Sequence, residues 1–282
     1  MPKVSVLMPV YRTNEQFLRE AIESILNQTF TDFELLIVDD CPTDRREAVI
    51  KSYQDSRIKY YQNEVKLGIS QARNRLMELA QGEYLAVFDH DDVSLPTRLE
   101  QEVAFLDQHP DYGVVSCQCK SLVSGKPITH PCSDEEIRVD LMLNCSLMHP
   151  ATMLRKSVLN QHHIQYEEQF SPSEDYALFC RLIPYTKFCN LDEVLFLYRD
   201  HEGNTSHLQQ ERMQKATLAI HAQVRTANPA LYQTYQNLVT ERTKYKLFGF
   251  LPVITVYRDL KFTRVYLFNT IPVLLLKRTQ SL

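Results

Sequence analysis

Gly82-Glu83-Tyr84-Leu85-Ala86-Val87-Phe88-Asp89-His90-Asp91-Asp92 decides how the chain is read. Tyr84 to Phe88 is an unbroken apolar run, the pattern of a strand covered on both faces. The run gives way to three carboxylates, Asp89, Asp91 and Asp92. In an open α/β sheet, ligands gather at the carboxyl ends of strands. Neighbouring anions repel one another, and a divalent cation relieves that repulsion. Hard oxygen ligands suit Mg²⁺ or Mn²⁺, which commonly take phosphate oxygens from a substrate as well. The alternative is a solvated acidic turn that caps the next helix. The strand in front, and the features upstream, favour the first reading.

Upstream, Val4 to Met8 is an apolar run closed by Pro9-Val10-Tyr11, a first strand and its turn. Asn14 is placed to cap a helix to about Asn27, with Phe17, Leu18, Ala21, Ile22, Ile25 and Leu26 on one face. Phe33 to Val38 reads as a second strand ending on Asp39-Asp40. Cys41-Pro42-Thr43-Asp44 is expected to open a helix, with Pro42 near its start. Ile58 to Tyr61 is a short third strand, and a helix from about Ser70 to Ala80 leads back to the acidic run. Strands alternating with helices imply a mostly parallel sheet with helices on both faces.

Downstream, Pro96 starts a helix to about Gln108. Tyr112 to Cys117 is a strand, and Ser124-Gly125 a hairpin tip. Ser133 is expected to cap a helix, and Pro150 to Leu154 to be a strand. A helix over 173–183, capped by Ser173, and a strand over 194–198 follow. From about Ser206 the pattern is helical, broken at Asn228-Pro229, with a second helix expected to about Lys246.

The chain has 282 residues, 44% of them hydrophobic, which suits one large α/β domain and an appendage. Its seven cysteines form no C-x-x-C pair and read as reduced cytosolic thiols. No secretory leader is expected, and no stretch reaches the ~20 apolar residues of a membrane span. The charge is uneven. Residues 241–282 carry eight Lys and Arg against two acids, while the remainder holds 23 basic against 33 acidic residues. This tail also contains a repeat. Lys244 to Val256 aligns with Arg264 to Leu276 at an offset of 20, with Leu-Phe and Pro-Val recurring in register. Each copy is apolar, aromatic and flanked by cations. That suits a segment lying in a membrane interface beside anionic head groups, or a strand or helix pair packed on the core.

Five motifs occur in order: Val4-Ser5-Val6-Leu7-Met8-Pro9-Val10-Tyr11, Leu36-Ile37-Val38-Asp39-Asp40, Gly68-Ile69-Ser70-Gln71-Ala72-Arg73-Asn74, the acidic run, and Ser173-Glu174-Asp175. Over residues 3 to about 205 this set resembles the family-2 inverting glycosyltransferases. The resemblance implies a GT-A (nucleotide-diphospho-sugar transferase) fold: a Rossmann-like, mostly parallel sheet plus a helical C-terminal appendage. It divides the chain into a transferase domain, 1–205, with a nucleotide half to about 95 and an acceptor half beyond, and a C-terminal region, 206–282. Cys41-Pro42 departs from the usual Gly-Ser, and His90 stands where a small residue is usual.

The resemblance also implies roles. Pro9 and Tyr11 would line the nucleotide, with the Tyr11 ring along the uracil face. Asp39 would accept from the base or ribose, Arg73 would meet the diphosphate, and Asp89 would reach the ribose or metal. Asp91 would bind the metal, with Asp92 in support. His201, in Tyr198-Arg199-Asp200-His201, would reach the metal or diphosphate. Asp175 would be the general base, with Glu174 as its neighbour, although an acid in a helix's first turn can merely complement the dipole. His149 and Arg199 are weaker expectations on the acceptor side or in support.

The implied partners are a UDP-sugar, Mn²⁺ or Mg²⁺, and a glycan or lipid-linked glycan. The implied location is the cytoplasmic face of an inner membrane, as a peripheral protein touching anionic lipid. No nucleic-acid partner is expected. A sugar nucleotidyltransferase shares the fold, but usually has a Gly-rich basic loop where this chain has Pro9-Val10-Tyr11-Arg12-Thr13. A non-catalytic sugar-nucleotide sensor would not need the acids that are present.

Overall fold

The apolar runs become parallel strands whose ends line up. In the computed structural model, β1 (Val4–Val10) lies between β2 (Phe33–Asp39) and β4 (Tyr84–Val87), with β3 (Ile58–Gln62) beyond β2. The register places Val10 opposite Asp39 and Leu7 opposite Val87, so Tyr11, Asp39-Asp40 and Asp89 share one edge. The structure describes residues 1–239, 242–247, 251–258, 262–267 and 271–277, with side chains described to 237 except at 206–207.

Strand alternation sorts the residues onto two faces. Val4, Val6, Met8 and Val10 join one core with Leu18, Ile22 and Ile25 of α1 (Glu15–Leu26) and Leu99, Val103 and Leu106 of α4 (Arg98–Gln108). α3 (Ile69–Leu79) packs against β1 and β2, burying Ala72 and Leu76. Asn14 caps α1 as expected, accepting from the amides of Gln16 and Phe17. Gly82 allows β4 to approach β1 closely: a Cβ there would stand 2.6 Å from the Ser5 amide nitrogen.

The sheet continues as β8 (Met153–Arg155), β6 (Tyr112–Ser121), β9 (Lys187–Tyr198) and β5 (Val93–Ser94), and β7 (Pro127–Ile128) pairs with β6. β6 and β9 are parallel, whereas β8 and β5 run antiparallel to their partners. The mixed sheet flanked by helices is an α/β fold of the GT-A type.

Several local expectations are corrected. Residues 41–46 are not helical, and α2 (Glu47–Lys51) starts late. The Asp39 carboxylate takes the Cys41 and Arg46 amides and so holds that loop open. Pro150, expected in a strand, lies in a 3₁₀ turn, His149–Ala151, before β8. α5 (Asp134–Asp140) is capped by Ser133 as expected, and α6 (Lys156–Gln161) follows β8. Ser173 precedes α7 (Glu174–Leu182) without capping it, because its hydroxyl bonds the Met213 carbonyl instead.

α8 (Thr205–Leu208), α9 (Gln210–Ala227) and α10 (Pro229–Val239) supply the expected helical region, broken before Pro229. Two compact units divide the chain, Met1–Ala222 and Gln223–Leu282. The helix expected to run to Lys246 ends at Val239. Arg242-Thr243-Lys244-Tyr245-Lys246-Leu247 alternates with the period of a strand and forms β10. It pairs in an antiparallel sheet with β11 (Leu251–Arg258), β12 (Phe262–Leu267) and β13 (Ile271–Lys277). The repeat is visible in the register. The β10/β11 ladder slips between Tyr245 and Lys246, and the β12/β13 ladder slips between Val265 and Tyr266. How the aromatic and basic side chains of this tail are disposed lies outside the described residues. Among the described residues, no helix is long and apolar enough to cross a membrane.

Candidate active site

The acidic turn sits where β4 ends, and a strap from the end of β9 closes over it. Asp91 Oδ2 lies 3.0 Å from His201 Nε2. The Gly203 amide donates to His201 Nδ1 at 3.1 Å, so the neutral ring carries its proton on Nε2 and gives it to Asp91. Arg199 fastens the strap. Its amide donates to Asp92 Oδ1 at 2.7 Å, its Nε to the Asp91 carbonyl at 2.6 Å, and its Nη2 to Glu20 of α1. The Phe17 ring lies 4.2 Å from the Arg199 guanidinium carbon and 5.6 Å from the His201 ring centre. Sequence periodicity assigned Phe17 to the core face of α1, which hid its place under this strap.

Asp92 is buried, and one of its oxygens, Oδ2, has no hydrogen-bond partner among the described residues. Burial, and then the charges of Asp91 and Asp89, push its carboxyl well above the usual range. Asp92 lies beneath the turn, bonded to the Arg199 amide. Asp91 and His201 bring a carboxylate oxygen and an imidazole nitrogen together, a donor pair for a hard or borderline divalent cation once the ring moves its proton from Nε2 to Nδ1 and gives up the Gly203 amide. Among the described residues no cluster of three or more His, Cys, Asp or Glu is set to hold a metal. A cation here would need oxygens from a substrate.

Arg73, on α3, spans the cleft. Its Nη2 donates to Asp89 Oδ1 at 3.2 Å and its Nη1 to Glu174 Oε1 at 2.5 Å. The guanidinium is only 10% exposed, and its Nε has no hydrogen-bond partner among the described residues. It thus ties the acidic turn to the first turn of α7, which carries Asp175. Asp175 is half-buried. Burial, and then the charge of Glu174, raise its carboxyl to about 6, against the pull of Arg73 and of the Tyr176 amide.

Below Arg73 lies Tyr166, its ring centre 5.6 Å from the guanidinium carbon. Asn74 clamps the Tyr166 backbone, donating to its carbonyl and accepting from its amide at 2.9 Å each. The Tyr166 hydroxyl meets His149 Nε2 at 2.9 Å. His149 is buried, and burial, with Arg73 nearby, pushes its imidazole well below its usual value. At 4% exposure, it packs against the rings of Tyr166 and Phe179. No motif marks Tyr166; only the adjacent Arg73-Asn74 pair could have pointed to it. A polar hollow of about 340 Å³ lies on this flank, between Gln71, Asn74 and Glu78 of α3 and residues 165–169.

On the other flank, Asp39 is fully buried. Its oxygens take the Cys41 and Arg46 amides at 3.0 and 2.8 Å and the Tyr60 hydroxyl at 3.3 Å. Asp40 takes Asn63 Nδ2 and the amides of Leu67 and Gly68 at 2.6 to 2.8 Å. Gly68 has φ 90°, a conformation that favours glycine at this turn. Pro9 is a buried residue of β1 opposite Val38. Tyr11 stands partly exposed at the strand end.

The sheet has the GT-A architecture, and the family that its sequence matches sets the class: a glycosyltransferase. Residues 5–162 match glycosyl transferase family 2, and the chain belongs to that family. It is 34% identical over 207 residues to an uncharacterised glycosyltransferase of Methanocaldococcus jannaschii, covering 70% of this chain and 71% of that one. It is 32% identical over 212 residues to the O-antigen biosynthesis glycosyltransferase WbnJ of Escherichia coli, covering 72% and 81%. TarS of S. aureus, residues 1–349 in complex with UDP-GlcNAc, has a similar fold. The TM-score is 0.67 at 22% identity, covering 83% of this chain and 72% of that one.

Proposed function

We propose that the protein transfers a sugar from a UDP-sugar to a hydroxyl of a glycan or lipid-linked glycan, inverting the anomeric carbon. The observation that carries this reading is the Asp89–Arg73–Glu174 bridge, which joins the acidic turn to the helix of the candidate base. Asp175 takes the proton of the acceptor hydroxyl as its oxygen bonds to the anomeric carbon. The bond from that carbon to the β-phosphate oxygen breaks on the opposite face, and UDP leaves with the electron pair. Asp91 and His201 would hold Mn²⁺ or Mg²⁺, whose charge offsets that of the departing diphosphate. Arg73, whose Nε has no partner among the described residues, adds fixed positive charge on the same side.

TarS in complex with UDP-GlcNAc supports a UDP-sugar donor, and the name of WbnJ supports a cell-surface glycan acceptor. Residues 1–205 hold the transferase machinery in this proposal. The basic, repeated tail in 206–282 brings the enzyme to anionic lipid at the cytoplasmic face of the inner membrane, in lipooligosaccharide or capsule synthesis. A screen of UDP- and GDP-sugars with Mn²⁺, reading hydrolysis and transfer, tests the core claim. Turnover of a UDP-sugar supports it; turnover of GDP-sugars alone sinks the donor assignment.

A further inference from the structure

Tyr11 is flanked by two cations of different freedom. The Arg12 guanidinium carbon lies 5.5 Å from its ring centre, and the Lys66 ammonium lies 4.2 Å from it. Arg12 is the constrained one. Its φ is 50°, and Cys41, then Tyr11 and last Asp44 act on its guanidinium. Lys66 is exposed and has no carboxylate partner among the described residues; the Tyr11 ring is its contact.

The loop that carries Lys66 is fixed at both ends and free between them. Asp40 holds Asn63 at one end and the Leu67 and Gly68 amides at the other. Arg75 also binds Asn63. Glu64, Val65 and Lys66 protrude, and Val65 is 64% exposed. The Lys66 backbone is thus held near the Asp39-Asp40 corner while its four-carbon stem can swing.

We infer that Lys66 is a movable cap on the nucleobase platform: it covers the Tyr11 ring and swings onto the diphosphate when the donor binds. This rests on the proposed use of a uridine diphosphate donor. An ammonium over an exposed aromatic ring is favoured only about two- to fivefold, so a stacking base displaces it readily. A cation freed beside a dianionic diphosphate gains a charged hydrogen-bond partner. Lys66 is a specificity-determining residue in this account, favouring nucleotides over nucleosides. It opposes base stacking before phosphate arrives and rewards phosphate afterwards.

The test is titration of the full-length protein and of Lys66→Met and Lys66→Arg with UDP, UMP and uridine. Metal is chelated, so that Asp91 and His201 do not contribute. For Lys66→Met, UDP affinity should fall about three- to tenfold, while uridine affinity stays unchanged or tightens by up to about fivefold. Lys66→Arg should restore UDP affinity. Equal losses for UDP and uridine would mean that the loop has merely been disturbed, and would overturn the inference. UDP affinity of Lys66→Met within twofold of the parent would overturn it too, while leaving the transferase proposal standing. A parent that binds no uridine compound, with metal or without, would sink both.

Discussion

Asp91 and His201, 110 residues apart in sequence, meet at 3.0 Å between a carboxylate oxygen and an imidazole nitrogen. One comes from the turn after β4 and the other from the strap after β9, so the pair exists only in the folded chain. His201→Ala should lower Mn²⁺ affinity, measured in the presence of UDP, by at least about tenfold. Circular dichroism should be unchanged, because Arg199 still holds the strap. Unaltered metal affinity would remove His201 from the ligand set.

Asp175→Asn should cut turnover by about 10²–10⁴-fold and leave UDP binding near the parent value. A base works only when ionised, and the Asp175 carboxyl sits at about 6. The parent's kcat/KM should therefore rise with pH up to about 6 and then level off. A rate that ignores pH between 5 and 7 would argue for another base.

Arg73→Met should damage stability and activity together. It leaves Glu174, 4% exposed, with an uncompensated charge, and breaking a buried pair typically costs about 3–5 kcal/mol. Arg73→Lys retains the charge but cannot fork to both Asp89 and Glu174. It should recover much of the melting temperature while activity stays low. Full activity in the lysine variant would show that the two-way bridge is dispensable.

Glu102 predicts a pH dependence of stability distinct from that of catalysis. It is fully buried 3.7 Å from Arg98, and among the described residues neither carboxylate oxygen has a hydrogen-bond partner. Burial outweighs the pull of Arg98 and raises its carboxyl from 4.5 to about 8. Between those values the folded chain keeps a proton that the unfolded chain releases. Stability from this group is therefore complete below 4.5 and lost as pH rises through about 8, at up to about 1.4 kcal/mol per pH unit. Denaturant melts of Glu102→Gln should show a flatter profile over that range. Parallel profiles would mean that Glu102 is ionised in the native core.

The strands that position the site were legible because burial on both faces leaves uninterrupted apolar runs, as in β1, β2 and β4. What was not legible depends on partners far away in sequence. β5 is two residues long and exists because Leu197 and Phe196 lie beside it. Residues 41–46 look like a helix start, but Asp39 captures their amides. His149 was visible as a motif residue, while its burial against Tyr166 and Phe179 was not. Tyr166 and Phe17 carry no signature, since each is defined by the cation resting on it.

The matching slips in the C-terminal ladders have a consequence for how this end of the chain can change length. Inserting or deleting a whole 20-residue period would present every remaining strand with an equivalent partner. A single inserted residue would turn a strand over and exchange its two sides. This end of the chain can therefore change by whole periods without reversing the sides of the strands that remain.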